Sequence, residues 1–211
     1  MGTAVGGTER TRIRRLPEKG VSDRVTLHAI LDAGLVAHVG VVDGGAPVVV
    51  PVAYGRDGER LLFHGSTASR LFRSLASGAP ACATVTLLDG LVYARSLFNS
   101  SMSYRCAMVY GRAAAVPDAE KQAALRIIAD HLMPGRWPHA RAPSAKELAA
   151  TLVVELPLAE VSVKVSEGPP EDDDADLDRP VWAGVVPLRQ VAGEPVAANG
   201  HPAPSYLPQG M

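Results

Sequence analysis

The run from Leu61 to Leu75, "LLFHGSTASRLFRSL", concentrates the residues of this chain whose types and spacing could do chemistry. An apolar strand delivers a Gly-Ser-Thr loop to the start of a helix. That is an anion-binding arrangement, because the first amides of a helix lack intrahelical partners and the macrodipole places about half a positive charge there. Ser66, Thr67 and Ser69 add hydroxyls, and Arg70 offers a guanidinium fork that suits phosphate. The spacing predicts the helix independently of any ligand: Ala68, Leu71, Phe72 and Leu75 recur at i, i+3, i+4 and i+7, and Gly78 with Pro80 ends the run. An ordinary Ser/Thr cap beside a solvated arginine has the same local sequence, so this segment alone leaves both readings open.

His64 precedes the glycine directly. A histidine there can orient a substrate, exchange a proton near neutral pH, or pack with its ring nitrogens on backbone groups. Cys82 and Cys106 lie in apolar runs without CxxC or Cys/His spacing, which reads as reduced core thiols and neither a disulfide frame nor a metal site. A thiol buried in an apolar strand is raised in pKa and inert. No GxGxxG, Walker loop, nucleophile elbow or HExxH occurs, which removes the commoner nucleotide and hydrolase chemistries.

The elements that must position these residues follow from the pattern around them. Residues 1–20 are polar and basic, with Arg10, Arg12, Arg14 and Arg15 close together, and read as a flexible arm that docks late. A helix from Ser22 to Gly34 buries Leu27, Ile30 and Leu31. "LVAHVGVV", "PVVVPVAY" and "RLLFH" are strands separated by the tight turns "DGGA" and "RDGE", an antiparallel meander. After the Ser-rich helix, "ACATVTLL", "DGLVYARS" and "YRCAMVYGRAAAV" read as three more β runs. Pro117 and Asp118 then open a helix with Ala124, Leu125, Ile128 and Leu132 on one face. Ser144 and Glu147 form a capping box, and "TLVVELPLAEVSVKV" supplies a last strand. Six or seven short strands with few helices predict a small antiparallel barrel with helical elaborations, a sandwich being the alternative. The body spans 21–168. Residues 169–193 hold an acidic linker, "PPEDDDADLD", followed by an apolar strap, "PVWAGVVPLRQV", and 194–211 read as a disordered tail.

At 211 residues the chain can bury a sizeable core, and a net charge of −1 leaves no basic field for nucleic acid or an acidic membrane. Any anion must be held locally. No uncharged run approaches the roughly 18 residues of a membrane span, and the basic start has no apolar core behind it, so a cytoplasmic protein without export signal is expected.

In order and spacing, "HVGVVDGGAPVVVPVAY", "LLFHGSTASRLFRSL", "ACATVT", "SMSYRCAMVYGRA" and "PGRW" resemble the split-barrel flavoproteins related to pyridoxamine 5'-phosphate oxidase, in the subgroup that includes nitroimidazole reductases. The resemblance covers roughly Leu16 to Pro170. It implies a mainly β fold with peripheral helices, an FMN-binding split β-barrel that forms a homodimer with FMN between the subunits. Val50, Pro51 and Val52 would run along the flavin ring, and Gly65, Ser66, Ser69 and Arg70 would hold its phosphate. Ser103, Tyr104 and Arg105 of the other subunit would close over it, Trp137 would lid the pocket, and His64 would be catalytic beside the flavin. Pro51 within a strand fits a ligand-facing position and equally a plain sheet edge. True pyridoxamine phosphate oxidases carry more Arg and Lys than this chain. The resemblance therefore favours an FMN-dependent oxidoreductase acting on a small nitroaromatic or quinone-like molecule, with a non-catalytic flavin, heme or deazaflavin protein as the alternative. His38 keeps a heme-ligand role open.

Overall fold

The computed structural model describes residues 8–198 and 200–208. Ten strands form one antiparallel sheet that coils without closing: β1 (Gly20–Val21), β2 (Val36–Asp43), β3 (Ala46–Asp57), β4 (Arg60–Ser66), β5 (Pro80–Tyr93), β6 (Ser101–Arg112), β7 (Ala114–Ala115), β8 (Thr151–Pro157), β9 (Glu160–Ser166) and β10 (Gly184–Pro187). The order runs β1-β9-β6-β5-β2-β3-β4-β8-β7, with β10 also on β5. Four helices sit around it: α1 (Arg24–Ala33), α2 (Arg70–Ala76), α3 (Asp118–Leu132) and α4 (Ala145–Ala149).

Local chemistry explains most of these elements. Gly44 and Gly45 both take positive φ, 57° and 82°, as a two-residue hairpin turn between β2 and β3 requires. Asp23 rather than Ser22 caps α1, its carboxylate accepting from the amide of Thr26 at 2.7 Å. Ser144 and Glu147 make the reciprocal capping box that their spacing predicts. Period-two alternation along β5 and β6 turns Ala81, Ala83, Val85, Ala107 and Val109 inward. They meet Leu27, Ile30 and Leu31 of α1 and Phe63, Leu71, Phe72 and Leu75 in the main core.

The strand count departs from the sequence reading in two places. "ACATVTLL" and "DGLVYARS" are one strand, β5, because Asp89–Gly90 is a bulge in its pairing with β6 and not a hairpin turn. A side chain at Gly90 would come within 3.1 Å of Val185 and of the Val186 carbonyl, so the glycine leaves room for the strap β10. "TLVVELPLAEVSVKV" is two strands that do not pair with each other: β8 joins β4 and β7, while β9 joins β6 and β1. Buried Leu158 makes the corner between them, its amide donating to the Glu59 carbonyl at 2.8 Å.

Described segments toward both ends of the chain touch the body. Arg10 pairs with Glu160 and covers the Tyr110 ring at 5.6 Å, and Thr11 is buried. Within the acidic run Asp172 is tied down: its carboxylate accepts from the Arg95 amide and guanidinium, both at 2.6 Å, and its side chain is 2% exposed. In the tail Tyr206 stacks on His139. Residues 1–7, part of the expected arm, lie outside the described residues, as do 199 and 209–211 at the other end.

Candidate functional site

The meander opens beside the Ser-rich turn. β3 pairs with β2 along Ala46–Ala53 but with β4 only along Tyr54–Asp57, so His64, Gly65 and Ser66 keep β8 on one side and have no β3 partner on the other. On its β4 side the Ala46–Ala53 stretch has no strand partner among the described residues. Val50 and Val52 turn their side chains to the core while Pro51 faces out, so an edge position is enough to accommodate the proline.

The turn after β4 is largely self-satisfied. Ala68 N–H donates to Ser66 Oγ at 3.1 Å, Ser69 N–H to the Ser66 carbonyl at 3.0 Å, and Thr67 N–H to the Ala150 carbonyl at 3.0 Å. Ser69 is the N-cap of α2 yet makes no side-chain cap bond, so the first-turn amides of this helix receive no acceptor from it. Arg70 is exposed, and its Nε lies 3.6 Å from Asp43 at the tip of the β2–β3 hairpin, a loose pair on the rim of the opening. Gly65 has a packing reason of its own. A Cβ there would sit 2.3 Å from the ring of buried Phe72, so the glycine admits the Phe72 ring beneath the turn.

His64 lines an open cleft of about 640 Å³ with Leu125, Arg136, His139, Arg141 and Glu147. Partial desolvation pulls its imidazole below the ordinary 6.5, which favours the neutral ring with one nitrogen to donate and one to accept. Thr151, also on the cleft wall, is in register with Ser66, which places the start of the turn beside the cleft. Trp137 is half-buried in a single 3₁₀ turn between Arg136 and His139. Sequence reasoning passed over Arg136, His139 and Arg141, whose only signal was a basic cluster in a Pro-rich loop.

Ser103, Tyr104 and Arg105 stand elsewhere in the same chain. Val50 is in register with Val39, Ala83 and Val109 across β3, β2, β5 and β6, and Ser103–Arg105 lie several residues from Val109 along β6. Ser103 is buried, Tyr104 is half-buried, and Arg105 forms a fork with Asp89 at 2.8 and 2.7 Å. One chain therefore does not bring them to His64 or Arg70.

Two further histidines and the two cysteines make structural contacts. His131 Nε2 lies 2.7 Å from the Gly34 carbonyl and its ring packs on Tyr54, so it joins α3 to the end of α1. His28 lies 3.0 Å from Glu59. Burial raises both thiols, and Cys106 accepts from Thr86 at 3.5 Å, as an inert strand cysteine should. Among the described residues no cluster of His, Cys, Asp and Glu could hold a metal ion, and no helix is long and apolar enough to cross a membrane.

Comparison with known proteins gives a family and a fold. The family model described as pyridoxamine 5'-phosphate oxidase matches residues 23–165. Among solved structures, the FAD and heme binding protein from Mycobacterium smegmatis is 41% identical, with 91% of this chain and 98% of that one covered and a TM-score of 0.86. The flavocytochrome Anf3 from Azotobacter vinelandii is 42% identical, with 96% of both chains covered and a TM-score of 0.88. A putative 5-nitroimidazole antibiotic resistance protein from Bacteroides thetaiotaomicron shares the fold at 24% identity and a TM-score of 0.59, with 69% of this chain and 86% of that one covered. No curated protein sequence matches.

Proposed function

This chain belongs to the pyridoxamine 5'-phosphate oxidase family, and from that premise we propose that it binds a flavin nucleotide as a homodimer and acts as a cytoplasmic oxidoreductase on a small nitroaromatic or quinone-like acceptor. The observation that carries the reading is the parting of β3 from β4: it leaves an unpartnered backbone edge at Val50–Val52 next to a helix start with open amides and an exposed arginine. Those groups suit a flat heterocycle with a phosphate. Identity of 41% with a protein described as binding FAD favours the dinucleotide over FMN.

When bound, the flavin supplies the electron transfer. The chain supplies the rest. Arg70 exchanges its loose contact with Asp43 for a phosphate, and the open amides of α2 share the same charge. His64 can donate a hydrogen bond from one ring nitrogen to a bound acceptor, and in its protonated form can pass a proton to the reduced acceptor. Ser103, Tyr104 and Arg105 reach the opening only from a second copy, which is why the reading needs a dimer.

Heme beside the flavin is the second reading, favoured by the two relatives above 40% identity, one described as binding heme and one as a flavocytochrome. Only His38 and His64, among the described histidines, have no hydrogen bond, ion pair or ring partner, so either has a nitrogen to offer iron. His38 faces outward, with Pro51 and Thr84 in register on either side.

The absorption spectrum of the purified protein, with chromatography of the released cofactor, tests both readings. Flavin bands with FAD released are expected, a Soret band adds heme, and sedimentation should give a dimer. A colourless monomer that takes up neither FMN nor FAD would overturn the proposal.

A further inference from the structure

We infer that the cleft beside His64 is an anion site completed by the C-terminal tail, in which Tyr206 holds Arg136 with its charge uncompensated for a phosphate or carboxylate. The inference rests on the flavin reading only for where that anion comes from. Arg136 lines the cleft, and its Nη1 donates to the Tyr206 hydroxyl at 2.7 Å. Among the described residues it pairs with no carboxylate.

The choice of a phenol matters. A hydroxyl fixes the guanidinium by one hydrogen bond without cancelling its charge, and four further N–H donors remain. Tyr206 is itself fixed, its ring stacked on His139 with centroids 4.6 Å apart and planes 8° from parallel. Gly135 lets the tail come in: its φ is +76°, and a Cβ there would lie 3.3 Å from that of Tyr206. The loop and tail thus meet over residues that have no other evident reason to be together.

The other charges facing the cleft leave Arg136 available. Arg141 and Glu147 neutralise each other through two bonds, at 2.8 and 2.5 Å, and Ser144 also donates to Glu147. These bonds hold the Glu147 carboxyl well below the usual carboxylate range and commit it to its own loop. Leu125, Pro143 and Leu148 make the opposite wall apolar. A molecule with one anionic group and a flat or apolar body fits this lining. With Thr151 of the cleft wall in register with Ser66 at the turn, the anion is either a further phosphate of the flavin nucleotide or an anionic substrate.

Equilibrium dialysis of flavin-free protein with labelled inorganic pyrophosphate tests the site. Saturable binding is expected, weakened at least about tenfold by Arg136→Ala and about threefold by Tyr206→Phe, which removes the hydroxyl and keeps the stacked ring. Melting temperatures of both variants should match the parent protein. No saturable binding, or full affinity in Arg136→Ala, would overturn the inference. Repeating the dialysis on flavin-loaded protein separates the sources: competition assigns the site to the cofactor's own phosphate, and undiminished binding assigns it to a substrate, the site standing in both cases. Failure to take up any flavin would remove the flavin reading while leaving the pyrophosphate result intact.

Discussion

Gly65 separates a cofactor glycine from a packing glycine, and Gly65→Ala is the perturbation that decides. The new methyl would sit 2.3 Å from Cδ2 and Cε2 of Phe72, more than 1 Å inside ordinary contact. The Phe72 ring is buried in the main core and cannot swing to solvent, so α2 as a whole must lift from the turn. Overpacking of this kind costs about 1–3 kcal/mol. For a chain of this length about 2 kcal/mol corresponds to roughly 4–8 °C in melting temperature. Because Arg70 starts the same helix, flavin affinity should fall together with stability. Phe72→Leu on its own should cost about 1 kcal/mol. In the double variant the ring that caused the clash is gone, so its loss should be clearly smaller than the sum of the two, and the affinity should return. Calorimetry and flavin titration on the four proteins complete the cycle. Unchanged melting in Gly65→Ala, or strict additivity in the cycle with affinity still lost, would show that Gly65 serves the ligand directly and that the packing argument is wrong.

Arg70→Ala should weaken FMN by about 1.5 kcal/mol, the low end for a charge-assisted bond because the side chain is exposed, and leave riboflavin unaffected. Isothermal titration with both ligands checks it, and equal losses would move the phosphate elsewhere. Asp172→Ala should lower stability by about 1.5–3 kcal/mol, since it strands the Arg95 amide and a partly solvated guanidinium, and thermal melts that match the parent would show the acidic run to be dispensable after all. His64→Ala should slow reoxidation of reduced flavin at least tenfold, about 1.4 kcal/mol, with little change in flavin affinity. If the protonated ring is the donor, stopped-flow rates of the parent fall as pH rises through a pKa below 6.5, and the variant is flat. The same lowered pKa means that the fold disfavours the imidazolium. Its contribution to stability is therefore complete above pH 6.5 and is lost as pH falls through the lowered value, a difference between parent and variant that denaturant titrations at pH 7 and pH 5 would read.

What the sequence determined by itself is the set of features whose causes lie within a few residues. The Gly44–Gly45 turn, the Ser144–Glu147 box, the α3 register through Ala124 and Ile128, and the strand pattern of β2 to β4 are local, because period, caps and positive φ are properties of short windows. The order of those windows was also enough to point to the family. Tertiary structure decided whatever depends on residues far apart in the chain. "DG" at Asp89–Gly90 has the local sequence of a hairpin turn, yet it is a bulge because the strap, some 95 residues later, needs the space above it. "TLVVELPLAEVSVKV" carries one breaker, Pro157, but only the fold shows that the chain turns a corner at Leu158, where the two halves of the sheet each claim one end of it. Gly65 answers to Phe72, Asp172 to Arg95, and Arg136 to Tyr206, pairs whose meeting no window of sequence contains. Apolar pattern and turn chemistry act at short range and so are legible residue by residue, whereas a buried ion pair, a shared void or a docked ring exists only once the coiled sheet has brought its partners together.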